Sequence, residues 1–163
     1  MEMETMLKLL EKNARLSTDD LGAMLEKTPA EIEQMMEEAQ KKGYLRGYRA
    51  LVDWDRVNGS TKHVQAMIEL KVCPKKSRGF EEIANTIAQF DEVQSLMLMS
   101  GGFDLMLLVT GKSFQEVAMF VSARLAPLDD VLSTATHLVL RTYKKEFAIY
   151  KEDDKDEREW TVL

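Results

Sequence analysis

The chain has 163 residues, 45% of them hydrophobic and 31% charged, and no apolar run approaches the roughly 20 residues of a membrane-spanning helix, so we expect a soluble globular protein. A single cysteine, Cys73, excludes an intramolecular disulfide and favours a reducing, cytoplasmic location. The formal net charge is −6 and no segment is strongly basic, which argues against nucleic-acid binding by bulk electrostatics.

Three short amphipathic helices are predicted within the first 43 residues. The second helix begins after Ser17, whose side chain can cap the helix N-terminus. The third begins after Thr28, with Pro29 at its first position and Glu31 completing a capping box, and it ends at Gly43. A tight connection between the second and third helices is typical of a helix-turn-helix, although other three-helix bundles give the same pattern.

The segment after Gly43 changes character. Residues 44–52 resemble a strand leading away from the third helix, and Asn58-Gly59 marks a turn within a less regular stretch. We therefore predict a winged helix-turn-helix domain over residues 1–52 and a linker over residues 53–62.

Beyond the linker, the hydrophobic pattern alternates with the period of strands and helices in turn. Strands are predicted at residues 63–72, 93–100, 103–110 and 131–141, with helical stripes at residues 80–87 and 114–125. This βαββαβ order predicts a ferredoxin-like unit over residues 63–145, and the whole chain belongs to the α+β class. Residues 146–163 form a C-terminal extension in which residues 147–150 can pair with residues 160–163 as an accessory hairpin.

The central hairpin of this unit carries the most informative pattern. Gly101 and Gly102 predict a two-residue turn, because such turns need positive φ angles. Consecutive residues of both flanking strands are apolar, so both faces of the sheet need cover. The helices can cover one face, and we expect a second copy of the chain to cover the other in a face-to-face homodimer.

Asp104 is the single charge beside this turn, and its carboxylate allows two interpretations. It can accept hydrogen bonds from backbone N–H groups and stabilise the turn, or it can form part of a binding site. The sequence pattern alone does not favour either.

Catalytic and metal-binding patterns are not found in the sequence. The two histidines, His63 and His137, lie on different predicted strands without a further ligand at metal-binding spacing. No nucleophile-base arrangement or Gly-rich phosphate loop is present. We therefore expect no enzymatic activity, no metal and no cofactor.

Several short motifs, taken together, resemble one protein family. They are Asn13-Ala14-Arg15-Leu16-Ser17 followed by Leu21, Gly43-Tyr44-Leu45 with Gly47-Tyr48, Ser100-Gly101-Gly102-Phe103-Asp104, and Thr136 leading to Val139-Leu140 and Tyr143-Lys144. In this order and spacing, the chain resembles the Lrp/AsnC, or leucine-responsive, transcription regulators. The resemblance implies a DNA-binding helix-turn-helix joined to a ferredoxin-like domain that senses an amino acid or related metabolite.

The resemblance also implies an effector site between sensing domains, where dimers meet in a tetramer or octamer. The residues it implies are Gly101, Gly102, Phe103, Asp104, Ser133, Thr134 and Thr136. Such groups suit an amino acid, because glycine N–H groups can bind its carboxylate and Asp104 can pair with its ammonium group.

The third helix departs from what a DNA-reading helix usually presents. The predicted DNA-contacting residues are Arg15, Thr28, Pro29, Ala30, Glu33, Gln34, Lys41, Lys42, Arg46 and Arg49. Several glutamates lie on the outward side of this helix, and carboxylates near phosphates are repulsive. The prediction is therefore a DNA-binding regulator of weak or strongly salt-dependent affinity. The alternative is a sensor or protein-interaction module with weak or lost DNA binding.

Overall fold

The computed structural model describes residues 2–57, 63–75 and 79–150. The chain divides into two compact units, Met1–Val52 and Asp53–Leu163. No helix within the described residues is long and apolar enough to cross a membrane.

The first unit contains the three predicted helices. Helix α1 spans Glu2–Lys12, α2 spans Thr18–Leu25 and α3 spans Pro29–Lys41. Their apolar stripes meet in a small core of fully or nearly buried side chains, made up of Met6, Leu10, Leu21, Ile32 and Ala39. The helical periodicity of the sequence is thus confirmed in this unit.

The predicted Ser17 cap of α2 and the predicted capping box of α3 are both formed, and the Ser17 cap is also part of a reciprocal capping box. The hydroxyl of Ser17 accepts the Asp20 N–H at 3.1 Å, and the Asp20 carboxylate accepts the Ser17 N–H at 3.1 Å. The Thr28 hydroxyl accepts the Glu31 N–H at 3.4 Å, while the Glu31 carboxylate accepts the Thr28 N–H at 2.8 Å. These bonds satisfy N–H groups that have no partner inside a helix, and so fix where each helix starts.

The connection between α2 and α3 depends on a close backbone approach at Gly22. A Cβ atom at Gly22 would lie 2.6 Å from the carbonyl oxygen of Lys27, which is shorter than any van der Waals contact. The Lys27 N–H also donates to the Gly22 carbonyl at 2.9 Å. The tight turn of the helix-turn-helix therefore requires a residue without a side chain at this position.

The strand predicted over residues 44–52 is not formed. Gly43 adopts a φ of +70° and ends α3, and the Tyr44 N–H closes the helix by donating to the Ala39 carbonyl at 2.8 Å. Residues 45–53 that follow carry no regular secondary structure. A strand needs a partner for its N–H and C=O groups, and the described part of the first unit offers only helices.

The second unit is a four-stranded antiparallel sheet with the order β2-β3-β1-β4. The strands span Val64–Val72 (β1), Val93–Leu98 (β2), Leu105–Gly111 (β3) and Val131–Leu138 (β4), and the helices span Glu81–Ile87 (α4) and Phe114–Phe120 (α5). A short π-helical turn, Val121–Leu125, continues α5. This is the ferredoxin-like βαββαβ arrangement predicted from the sequence.

The alternation of β1 determines which sheet face is covered. Ala66, Ile68 and Leu70 are fully buried and pack with Ile87 of α4 and Val117 of α5. Because successive side chains of a strand point to opposite faces, both helices lie on the face to which Ile68 points. Both helices of the described second unit pack on that face, so neither of them covers the opposite one.

The central hairpin differs from its prediction. Strand β2 ends at Leu98 and β3 begins at Leu105, so residues 99–104 form a six-residue loop rather than a two-residue turn. The Met99 N–H donates to the Asp104 carbonyl at 2.8 Å and closes the loop. Gly101 has a φ of +152°, but Gly102 has no positive φ, so only one of the two glycines uses the conformation on which the prediction rested.

The end of the described chain forms a short hairpin with a different partner from the predicted one. Strand β5, Lys144–Lys145, pairs with β6, Ala148–Ile149. Glu146 and Phe147 form the turn, with φ angles of +45° and +68°. The predicted partner, residues 160–163, lies outside the described residues. Strand β4 ends at Leu138, three residues before its predicted end.

Candidate DNA-binding and effector-binding sites

The exposed face of α3 is the first candidate site. Ile32 and Ala39 are buried in the core of the first unit. The side chains on the outward face are exposed, and they are Ala30, Glu33, Gln34, Glu37 and Lys41. These residues recur three or four positions apart, so they form one continuous face of the helix.

Most carboxylates of α3 are engaged within the helix or its cap. Lys41 lies 3.6 Å from Glu37, and Lys42 lies 2.6 Å from Glu38. The hydrogen bond and negative charge of Glu38 raise the pKa of the Lys42 ammonium group above its ordinary value. The Thr28 backbone N–H, and then its hydroxyl, lower the pKa of the Glu31 carboxyl. The acidic character of α3 is thus partly neutralised by its own lysines.

The basic residues predicted to contact DNA fall into two groups. Lys41 and Lys42 are paired with glutamates of α3, as described above. Arg15, Arg46 and Arg49 are exposed, and none of them forms an ion pair with a residue that the structure describes. The positive charge that remains available to phosphates therefore lies just before α2 and in the irregular segment after α3.

Asp104 anchors the loop of residues 99–104 to the neighbouring strand. Its carboxylate accepts the Val72 N–H at 2.9 Å, and its own N–H donates to the Leu70 carbonyl at 2.9 Å. Asp104 is half-buried. The carboxylate thus has a structural role, although its partner is the end of β1 rather than the N–H groups of its own turn. An ionised carboxylate has further acceptor capacity, so this bond does not use up its capacity to bind an ammonium group.

The sheet register determines how far the other predicted effector residues lie from this loop. Ser133 faces Lys71 and Thr134 faces Leu70 on the β4 side of β1, while Leu105 faces Leu70 on the other side. Ser133 and Thr134 therefore share one end of the sheet with the loop, but lie two strands away, or about 10 Å. Thr136 faces Ile68 and lies two residues further along the strand. Gly101 and Gly102 are exposed and Phe103 is half-buried.

The sheet face opposite the helices forms a third candidate surface. Met67 pairs with Leu108 and Met97 pairs with Met106, which gives an apolar centre that we call the open sheet face. Met67 remains 41% exposed and Met97 46% exposed.

One polar contact crosses the open sheet face: the His137 Nε2 atom lies 3.2 Å from the Glu69 carboxylate. Among the residues that the structure describes, no group of three or more His, Cys, Asp or Glu side chains is arranged to hold a metal ion.

Two structural features were not predicted from the sequence. One is the close approach at Gly22, for which the available signal is a glycine inside a helix, where it costs about 1 kcal/mol relative to alanine unless packing requires it. The other is the bond between Asp104 and β1, which depends on strand order. No local sequence pattern could have revealed that bond.

A helix-turn-helix unit followed in the same chain by a ferredoxin-like unit defines a class of two-domain regulatory protein. The family model of the Lrp/AsnC ligand binding domain matches residues 65–149. The HTH-type transcriptional regulator YugG of Bacillus subtilis is 38% identical over 158 residues, which cover 96% of this chain and 95% of that protein. The chain belongs to the Lrp/AsnC family, whose relatives are transcription regulators rather than enzymes.

Solved structures show the same fold. A transcriptional regulator from Neisseria meningitidis, solved in complex with L-Met, superposes with a TM-score of 0.66 at 23% identity, covering 88% of this chain and 91% of that one. AsnC of E. coli gives a TM-score of 0.65 at 20% identity, covering 88% and 93% of the two chains.

Proposed function

We propose that this protein is a transcription regulator that binds DNA through α2 and α3 and responds to an amino acid bound between sensing domains. The observation that carries the proposal is the register of β4 on β1. It supports an effector site at this end of the sheet, because Ser133 and Thr134 lie there together with the loop of residues 99–104, although their side chains point to opposite faces of the sheet. In this proposal, effector binding changes the DNA affinity of the helix-turn-helix in the same chain.

In this proposal, DNA binding depends on a few cationic side chains placed near phosphates rather than on an extended basic surface. The residues proposed to contact phosphates are Arg15, Arg46 and Arg49, with Lys41 and Lys42 available only after exchange from their glutamate partners. Each protomer contributes few cations, so useful affinity requires several helix-turn-helix units on one DNA molecule. We therefore expect binding that is weak per protomer and falls steeply as salt rises.

The effector proposal requires more than one chain. Within one protomer, the loop and the β4 residues are separated by about 10 Å, the width of two strand spacings. An amino acid is too small to bridge that distance with both its carboxylate and its ammonium group. A site at a contact between dimers removes this difficulty, because the loop of one protomer can meet a neighbouring protomer. The L-Met complex of the Neisseria meningitidis relative supports an amino acid as the effector class.

Dimerisation is proposed to occur through the open sheet face. Its central side chains are methionine and leucine, and Met67 and Met97 keep more than two fifths of their surface exposed in the single chain. A second copy offers the same apolar surface, so an isologous contact covers both faces at once. Dimers joined at the effector sites would then form tetramers or octamers.

The experiment combines two titrations of the full chain. Thermal-shift measurements with each of the twenty amino acids identify the effector through stabilisation of the folded state. Fluorescence anisotropy with duplex DNA from the region upstream of its own gene, at low and moderate salt, then measures affinity with and without that amino acid. We expect binding at low salt that the amino acid changes. An absence of DNA binding at low salt would contradict the regulator proposal.

A second function is favoured by the glutamates of α3. In this alternative, the protein senses an amino acid but docks a basic protein instead of DNA. Stabilisation by an amino acid together with no DNA binding at any salt concentration would support that alternative.

A further inference from the structure

The first two turns of α3 expose a small set of side chains that have no partner in the described chain. Glu31 is engaged by its capping box, and Glu37 is paired with Lys41. Glu33 and Gln34 are exposed, and neither forms a side-chain hydrogen bond or ion pair with a residue that the structure describes. These two polar side chains are therefore the ones free to contact another molecule from the N-terminal half of the helix.

Their chemistry matches two particular base edges. A glutamine side chain presents one acceptor and one donor side by side, which pair with the N6 and N7 atoms of adenine. An ionised glutamate presents acceptors only, which suits the amino group of cytosine. Pro29 to Gln40 include no arginine or lysine, so this part of α3 lacks the bidentate donors that usually read guanine.

The helix geometry allows both contacts at neighbouring base pairs. The N-terminal residues of a recognition helix contact base edges in the major groove. Ala30 and Gln34 are four positions apart and lie on the same side of the helix, separated by about 6 Å along its axis, while Glu33 lies about 100° around the helix from Gln34. The two polar side chains therefore diverge, so that in a major groove each can reach a different base.

We propose that α3 reads an adenine through Gln34 and a cytosine through Glu33 in neighbouring base pairs of its operator. This inference rests on the proposed function, because it assumes that α3 enters the major groove. Glu33 acts chiefly by exclusion: at its position guanine and thymine present acceptor atoms, which a carboxylate repels. Glu33 therefore lowers the overall affinity for DNA, because its carboxylate repels phosphates. The same carboxylate gives the protein a preference for cytosine at one position.

The test uses two variants that remove the same charge from neighbouring exposed positions. Glu33→Gln and Glu37→Gln both remove one negative charge from α3, and both should raise overall DNA affinity. The operator is obtained by selecting the full-length wild-type protein on a randomised duplex library at low salt. Competition anisotropy then compares the selected duplex with duplexes changed at single base pairs, for the wild type and both variants.

We expect Glu33→Gln to lose about tenfold in its preference for the cytosine, as for the removal of one good base contact, while Glu37→Gln keeps the wild-type preferences. Gln34→Ala should lose the preference for the adenine alone. Unchanged base preferences in Glu33→Gln, with binding intact, would overturn this inference and leave the proposed function standing. If the wild-type protein selects no sequence and binds no duplex at low salt, the proposed function fails as well.

Discussion

Substitution of Met67 by glutamate tests the proposed dimer through the open sheet face. Full burial of a methionine side chain contributes about 1.5–3 kcal/mol, so covering the 41% of Met67 that is exposed in one chain contributes about 1 kcal/mol. The two-fold symmetry of the contact doubles this to about 2 kcal/mol, or roughly 30-fold in the dimer dissociation constant. Glutamate adds a further penalty, because its carboxylate would lose hydration in the contact and would lie on the same strand face as Glu69.

Sedimentation equilibrium of the full chain measures this dissociation constant. We expect Met67→Glu to raise it by at least about 30-fold, with the fold retained because the position is partly exposed in the single chain. Met119→Glu is the matched control, since Met119 is 63% exposed and belongs to α5, on the other side of the sheet. Equal dissociation constants for Met67→Glu and the wild type would refute the proposed interface.

Three further substitutions test contacts within the two units by urea unfolding. Asp104→Ala should lower the free energy of unfolding by about 1–3 kcal/mol, because the Val72 N–H loses its acceptor, whereas Asp104→Asn keeps an acceptor and should lose less. Gly22→Ala should lower it by about 1–3 kcal/mol, because the added Cβ atom would lie 2.6 Å from a backbone carbonyl oxygen. Thr28→Ala should lower it by about 1 kcal/mol through loss of the α3 cap. The pKa of Glu31 is lower in the folded state, so the stability that its capping bonds contribute is present above the ordinary carboxyl pKa and is lost as pH falls through the folded-state pKa. Thr28→Ala keeps the backbone N–H that is the larger cause and should weaken this acid-dependent loss only in part, whereas Glu31→Gln should abolish it.

The following results would contradict these three expectations. Equal losses for Asp104→Ala and Asp104→Asn would show that the accepted hydrogen bond is not the source of the effect. A Gly22→Ala variant as stable as the wild type would mean that the turn relaxes around the new methyl group. A Glu31→Gln variant with the same acid-dependent loss as the wild type would show that Glu31 is not its source.

Features that depend on neighbouring residues in the chain could be predicted from the sequence. The capping boxes of α2 and α3 use side chains three positions apart. The alternation of apolar and polar residues in β1 indicates which side chains face the helices. The same local patterns predicted the βαββαβ order, because each element has its own period.

Features that depend on partners distant in the chain could not be predicted from the sequence. The apolar run before Gly101 looks continuous, but β2 ends at Leu98, and Asp104 at the far end of the six-residue loop bonds to β1. Residues 44–52 have strand-forming composition, yet no described strand of the first unit is available to pair with them. The turn at Glu146 and Phe147 uses positive φ angles that no glycine or asparagine signals.

The candidate sites divide in the same way. The exposed face of α3 follows from helical periodicity, so its members could be predicted. The shared end of the sheet occupied by Thr134 and the loop of residues 99–104 follows from strand order and register. Sequence periodicity predicts neither strand order nor register. Only the resemblance to known regulators assigned these residues to one site.

The most direct test of the central claim is the effect of an amino acid on DNA affinity. Fluorescence anisotropy of the full chain on its selected duplex, with and without the amino acid that stabilises the fold, gives the coupling between the two sites. We predict a change in the DNA dissociation constant of about 5-fold or more, the range typical of allosteric coupling. A DNA dissociation constant that no amino acid alters, for a protein that an amino acid does stabilise, would contradict the account.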